Sequence, residues 1–385
     1  MSSMHTLLTC SRVLLLLALA PALLGQTRLP GERGPRLDSS RPLEDMRYVV
    51  GLVTFENHLD VYWMHVDERV PEVRPTLYRT SVSADGRMRL GTRRIHTFDE
   101  YASVSVSGTG DNVQAQWNGN SGIRVSPIEG DALKYPQGIW VASGNYSGIQ
   151  CHATECAVIY EASNMQQAVI LDRDSKIASG PFPLPPGFHP MRILFDERGL
   201  FFVRHNLTQL RAALVRRDGS VQFDVRLAAA DPRAFHTTDP GVTTNGSGYV
   251  VAFTEFATAP DELHSVTVGS DGSVSAPKRL MQLEEHRDLP NNFGGASLAF
   301  NGSRFLLGGF YVIGRPFLMS LDASLQQTGH LRRTDAIPSV HRHPDGSSFV
   351  ILWHARSPYL TILRADGSMT APVPIVPPAR RRAVR

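Results

Sequence analysis

Apolar residues in this chain come in short alternating runs separated by turn residues, and one such arrangement recurs. VTVGSDGSVSAPKRL, from Val266 to Leu280, reads as a strand, an Asp-Gly turn and a second strand. LVRRDGSVQFDVRL from Leu214, ILRADGSMTAPVPI from Ile362 and TSVSADGRMRLGTRRI from Thr80 repeat it. Such a turn needs a positive φ, which Gly adopts without steric cost, so its composition has a structural cause. Asp-Gly stands at Asp85, Asp218, Asp271, Asp345 and Asp366, and all but Asp345 end the same kind of alternating strand. Degenerate versions near Gly130, Asp174 and Ala323 fill the gaps. The landmarks are then 43 to 53 residues apart, the period of a four-stranded unit with short turns, and seven units result.

The fifth unit shows the grammar best: GVTTN, a turn at Gly246 to Gly248, YVVAFTEF, a loop through Pro260, LHSVTVGS, the Asp-Gly turn, then SVSAPKRL. Its second strand has counterparts in VYWMHV from Val61, VQAQWNGN from Val113, CAVIYEAS from Cys156, LFFVRHN from Leu200, FLLGGFY from Phe305 and FVILWHA from Phe349. Each reads as a buried or half-buried strand. A four-stranded sheet repeated around an axis leaves no long exposed edge. The expected fold is therefore all-β, a seven-bladed β-propeller of four-stranded antiparallel blades over residues 46–376. A pair of β-sandwiches is the competing architecture, and it leaves the regular spacing unexplained.

TTNGSGYVVAFTE with VTVGSDGSV, and HPDGSSFVILWHA with ILRADGSM, resemble the tandem blade repeats of secreted bacterial β-propellers, whose units run as a strand, "nGxxYlVaW", a loop, then "l…dGs…". The resemblance covers roughly Arg47 to Val376 and implies the fold; it implies little about activity, because propellers serve binding and catalysis alike. Ser83, Asp85 and Gly86 look like a sialidase-type Asp box, but the residue between Asp and Gly and the aromatic that follows are both missing.

The ends add a compartment. Arg12, an apolar run from Val13 to Leu24, then Gly25 and Gln26 form a secretory pattern, so residues 1–25 are read as a signal peptide and 26–45 as a linker. Twelve apolar residues fall short of the ~20 that span a bilayer, so no stable membrane span is expected. Removing the leader leaves Cys151 and Cys156, spaced to close a hairpin as a disulfide in a secreted or periplasmic protein. The rival is a metal site with His152, for which two thiols and one imidazole are an incomplete ligand set.

Net charge is +3; without Arg12 and the tail arginines Arg380, Arg381, Arg382 and Arg385 the body carries about two net negative charges. A body without a basic stripe argues against nucleic acid as a partner. Residues 377–385 read as a basic, solvated tail.

The crossovers from one unit to the next supply candidate chemistry. Five of the six carry a histidine, at His96, His189, His236, His286 and His330, and four place Asp99, Asp239, Asp288 or Asp335 shortly after it. One reading is a rim of imidazoles and carboxylates around a polar ligand; the other is that each Asp caps the turn into the next strand and sets blade register. Two non-repeating segments stand out, because a site on a repeat scaffold tends to lie where one unit departs from the rest. In QLEEHRDLPNN, Glu284, Glu285, His286, Arg287 and Asp288 cluster; in HRHPDG, period-two alternation puts His341 and His343 on one strand face, a partial metal pair.

No nucleophile elbow, HExxH, phosphate-binding loop or EF-hand loop occurs, and no motif calls for a cofactor or a resident metal. Two functions remain in view. The first is a monomeric, non-enzymatic binding or scaffold module for an extracytoplasmic protein or polysaccharide, favoured by loop aromatics such as Phe182, Phe188, Phe235 and Phe293. The second is a glycan-acting hydrolase or lyase with its site at the channel mouth. A focus of perturbed titratable groups in the channel is the mark of the enzyme, and an apolar or aromatic outer patch that of the binder.

Overall fold

The computed structural model describes residues 45–67, 74–99, 102–119, 122–186, 190–206, 209–228, 235–236, 240–256, 262–282, 293–311, 316–329, 331–355 and 357–376. All fall in one compact unit, Pro42–Arg385. They form seven antiparallel sheets arranged as a β-propeller, without a helix among them. No helix of the described residues is long and apolar enough to cross a membrane.

In blade 1 the four strands are Asp45–Thr54, His58–Asp67, Thr76–Ser83 and Arg89–Thr97, paired in chain order from the axis outwards. The later blades repeat this from Ser103, Asn145, Pro190, Phe235, Phe293 and Ile337. All six second strands matched to VAFTEF in the sequence are second strands here. Blade 2 departs locally. After the turn at Gly130 the chain makes a short side ribbon, Ala132–Leu133, before its outer strand Ile139–Ala142.

The second strands are apolar on both faces because both are covered. In His58–Asp67 and Glu155–Ala162 most side chains are buried and none is exposed. Each of seven apolar clusters joins one blade to the next. Phe201, Phe223, Tyr249 and Phe253 join blades 4 and 5, with Phe201 stacked on Tyr249 at 3.9 Å between ring centroids. Leu59, Val61 and Trp63 of blade 1 meet Val350, Leu352 and Ile375 of blade 7 and close the ring. Close approach at the axis needs small residues. A Cβ on Gly51 would stand 2.3 Å from the Val106 carbonyl oxygen, and one on Gly148 would stand 2.6 Å from Ile193.

The turns between third and fourth strands all lie at one end, where they join the blades a second time. In blade 4 the amide of Gly219 donates to the Arg216 carbonyl and that of Arg216 to the Ser220 carbonyl, a type I turn ending in a left-handed residue, Gly219 at φ 85°. The Asp218 carboxylate accepts from the amide and hydroxyl of Ser220. Ser175 and Leu325 hold the same left-handed position in blades 3 and 6, both at φ 61°.

Each turn then offers a carbonyl to the preceding blade. Arg79 donates to Gly130, Gln114 to Arg173, Ser179 to Arg217 and Gln222 to Ser270. Lys278 donates to Ser324, Arg304 to Arg364 and, across the seam from blade 7 to blade 1, His343 to Ala84, all seven at 2.6 to 2.9 Å.

The turn glycines separate two energetic effects. At Gly272 a Cβ would meet Phe223 of blade 4 at 2.8 Å, whereas at Gly367 it would meet nothing within 4 Å, and both residues have φ near 85°. Gly367→Ala is expected to cost about 1 kcal/mol for the left-handed backbone alone. Gly272→Ala adds a clash between blades and is expected to cost about 2 to 4 kcal/mol. Urea midpoints of the two variants check the difference.

Candidate functional site

The ends of the first strands border an open recess of ≈ 250 Å³ at the turn-bearing end of the central channel. Blade 1 lends it Leu52 and Thr54, blade 2 Gly108, and blade 5 Thr243. Leu298 and Ala299 of blade 6 and Val340, His341 and Arg342 of blade 7 complete the wall. Among the described residues no carboxylate lines it. Alternation along Ile337–Arg342 buries Pro338 and Val340 between blades and leaves Ser339 and His341 partly accessible.

His341 lies 3.0 Å from the Ser339 hydroxyl through its Nε2. It shares its face with His354, because Ile337 pairs with His354 and His341 with Val350. Burial, then electrostatic repulsion from His354 and Arg192, pushes the pKa of His341 down to about 4. His354, at the end of the second strand of blade 7, is exposed, yet the surrounding protein strips enough hydration to lower its pKa as well.

Arg192 is a departure from the repeat. The first strands of blades 1, 3, 4 and 6 each carry a bulge, followed by Gly51, Gly148, Arg192 and Gly295 respectively. Where three blades have glycine, blade 4 projects a guanidinium. Its Nε donates to the Pro240 carbonyl at 3.1 Å and its Nη2 to that of Ala296 at 3.4 Å, reaching past blade 5 to blade 6.

Several residues singled out in the sequence have other places. The expectation that His341 and His343 share a strand face fails, because the strand ends at Arg342 and His343 begins the hairpin turn. His343 is buried, its Nε2 donating to Ala84 at 2.7 Å and its Nδ1 accepting from the Asp345 amide at 3.2 Å, so neither nitrogen is open to a metal. Asp345 is equally committed. Partial burial raises its pKa, but the amides of Ser348 and Ser347 and the Ser348 hydroxyl outweigh this and hold it well below the usual carboxylate range.

Phe182, expected in a loop, lies on the outer strand of blade 3, buried among Leu184, Phe195 and Phe202. Cys151 and Cys156 are cross-strand partners joined as a disulfide, which removes both thiols from any ligand set with His152. Glu284, Glu285, His286, Arg287 and Asp288 lie outside the described residues, as do His189, His330, Phe188 and the side chains of His236, Phe235 and Phe293. His96 belongs to the outer strand of blade 1, edge-on to Phe98. Among the described residues no group of three or more His, Cys, Asp or Glu is arranged to hold a metal ion. Ser339, His354, Arg192, Thr54 and Thr243 were not singled out; the alternation in IPSVHR was the available signal for Ser339.

Seven sheets in radial order decide the comparison with known proteins. The chain has the propeller fold. It is similar to the BP39L lectin from Burkholderia pseudomallei, with a TM-score of 0.58 and 14% identity over 86% of this chain and 100% of that one. Sqt1 from Saccharomyces cerevisiae follows at 0.52 and 12%, over 86% of each chain. An acylaminoacyl peptidase from Pyrococcus horikoshii superposes at 0.51 and 11%, over 85% of this chain and 52% of that one. No family model and no curated protein matches the chain. Identities this low show the fold and leave activity to the site.

The pKa of His341 fixes a pH dependence. The unfolded imidazole takes up a proton below about 6.5, while the folded one stays neutral until about pH 4, so stability is full above 6.5 and falls across that interval. The loss from His341 is on the order of 3 kcal/mol, and His354 acts in the same direction. Urea midpoints at pH 7 and pH 4.5 are expected to differ less for His341→Gln than for the unaltered protein.

Proposed function

We propose that the chain is an exported, non-enzymatic binding module for an extracytoplasmic polysaccharide, with a ligand group seated in the channel recess. The carrying observation is the composition of that recess: Thr54, Thr243, His341 and Arg342 line it, and among the described residues no carboxylate does. Hydrolysis of a glycosidic bond ordinarily takes a pair of carboxylates as acid and base or nucleophile. The His341 imidazole, held neutral beside the Ser339 hydroxyl, supplies neither, whereas hydroxyl and N–H groups around a small recess are what recognition of a polyol needs. The leader-like N-terminus and the disulfide support export. That a lectin is built on the same fold accords with this reading, and the recess residues carry it.

An exposed Trp140 on the outer strand of blade 2 is an additional contact surface, at 52% exposure and with no hydrogen bond from its indole N–H among the described residues. The crossover cluster Glu284 to Asp288 is retained as a second contact region of the same module.

A glycan array probed with residues 26–385 tests the function when read for both retention and release of shorter products. Retention without cleavage is expected, weakened at least tenfold by Trp140→Ala or by replacing residues 284–288 with Gly-Ser. Cleavage would make the protein an enzyme, and silence on every glycan would point to a protein partner.

A further inference from the structure

The outer strand of blade 1, Arg89–Thr97, departs from its six counterparts. At 9 residues it is the longest of them, and the turn leading into it is longer too. There the amide of Ser83 donates to the Met88 carbonyl, whereas in blades 3 to 7 the equivalent bond reaches one residue less far, as from Arg216 to Ser220. Arg87, Arg89, Arg93 and Arg94 are all exposed, and no other outer strand holds as many Lys or Arg residues as this one. Arg87 stands 3.7 Å from Asp85 and Arg93 3.8 Å from Asp131, a carboxylate already held by Arg79 at 2.5 Å. The side chains of Arg89 and Arg94 have no hydrogen bond or ion pair among the described residues. Met88 and Leu90 lie between these guanidiniums, 59% and 52% exposed. Leu90 is the bulged residue between Arg89, paired with Val82, and Gly91, paired with Ser81. Its counterpart in blade 4, Gln222, donates to Ser270 of blade 5; in blade 1 Arg79 makes that link, so assembly makes no use of Leu90. Charge on an open strand edge deters pairing with a second copy, a role that calls for no apolar side chains among the arginines. The sequence adds charge nearby. Val376 packs in the cluster that holds Tyr78, the cross-strand partner of Arg94, and Arg380, Arg381, Arg382 and Arg385 follow it without an acidic residue.

We propose that the outer edge of blade 1 docks on an anionic lipid bilayer, with Met88 and Leu90 entering the headgroup layer and Arg89, Arg93 and Arg94 meeting lipid phosphates. The body of the protein carries about two net negative charges, so this basic edge is a local exception and gives it one preferred orientation toward a negative surface. Aliphatic side chains flanked by arginines suit an interfacial contact, because guanidiniums stay at headgroup level while their apolar neighbours go deeper. Neither Met88 nor Leu90 offers a ring face for a sugar to stack on, which sets a bilayer above an acidic polysaccharide as the occupant. Two apolar side chains and a few charges make a reversible contact and fall short of a stable anchor. Docking of this kind is independent of the channel recess and of the polysaccharide function.

Co-sedimentation of residues 26–385 with vesicles at pH 7 and low salt tests it, using phosphatidylcholine vesicles with and without about one-third phosphatidylglycerol. Binding to the anionic vesicles is expected to be at least about tenfold tighter than to the neutral ones and to be lost at about 0.5 M salt. Arg89→Gln, Arg93→Gln and Arg94→Gln combined should weaken it about tenfold or more, and Leu90→Ser severalfold, with thermal midpoints nearly unchanged. Lys at the same three positions should keep most of the affinity, because a lipid surface reads charge more than the geometry of the guanidinium fork. Equal sedimentation with both vesicles, none with either, or affinity indifferent to the triple Gln exchange and to Leu90→Ser would overturn the proposal. Binding abolished by deletion of residues 380–385 yet untouched by the triple exchange would also overturn it, since the contact would then belong to the tail. Soluble dextran sulfate held as tightly as the anionic vesicles, with Leu90→Ser affecting neither, would replace the bilayer by an acidic polymer. Retention on the glycan array bears on the polysaccharide function alone, so either reading can fail while the other stands.

Discussion

Burial between blades is the interaction on which everything else rests. A single four-stranded sheet of this sequence would leave an apolar second strand exposed on both faces; only a neighbour on each side covers it. The core is consequently seven slabs between sheets, and each blade depends on two others. At six junctions a covalent crossover also holds the blades together. At the seventh, blade 7 meets blade 1 through side chains, the Thr80 hydroxyl on the Ile375 carbonyl and the donation from His343 to Ala84, because among the described residues every blade keeps its own four strands and none is exchanged across the seam.

The same repetition explains where individuality resides. Glycine near the bulge lets first strands approach, and the turn carbonyls all receive a donor from the preceding blade, so these positions are occupied by the demands of assembly. Arg192 replaces a glycine, and Ser339, His341 and Arg342 border a junction where the first strands of blades 7 and 1 stand apart, unlike those of the other junctions. The recess forms there because packing is least complete there. Its electrostatics follow from the residues that the relaxed geometry admits.

Much of the fold was legible because its cause is local and repeated. Asp-Gly turns, apolar second strands and the Cys151 to Cys156 hairpin each state their conformation over a few residues. His343 was misread because alternation assigns a face only while the strand lasts, and the chain turns one residue earlier. Phe182 was misread because Pro181 and Pro183 suggest a loop, while burial against blade 4 draws the segment into the outer strand. The recess was hidden for a different reason: Thr54, Thr243 and Arg342 come from blades distant in sequence, and nothing in their neighbourhoods marks them as lining one recess.

Closure of the ring at the seam is tested most directly by native-state hydrogen exchange, read by mass spectrometry on the unaltered protein and on His343→Ala. The account predicts that amides of His58–Asp67 and Phe349–His354 exchange about tenfold faster in the variant, the equivalent of ~1.4 kcal/mol, while those of Glu155–Ala162 and Gly199–Asn206 keep their protection. Unchanged exchange at the seam, or an increase spread evenly over all blades, would contradict it.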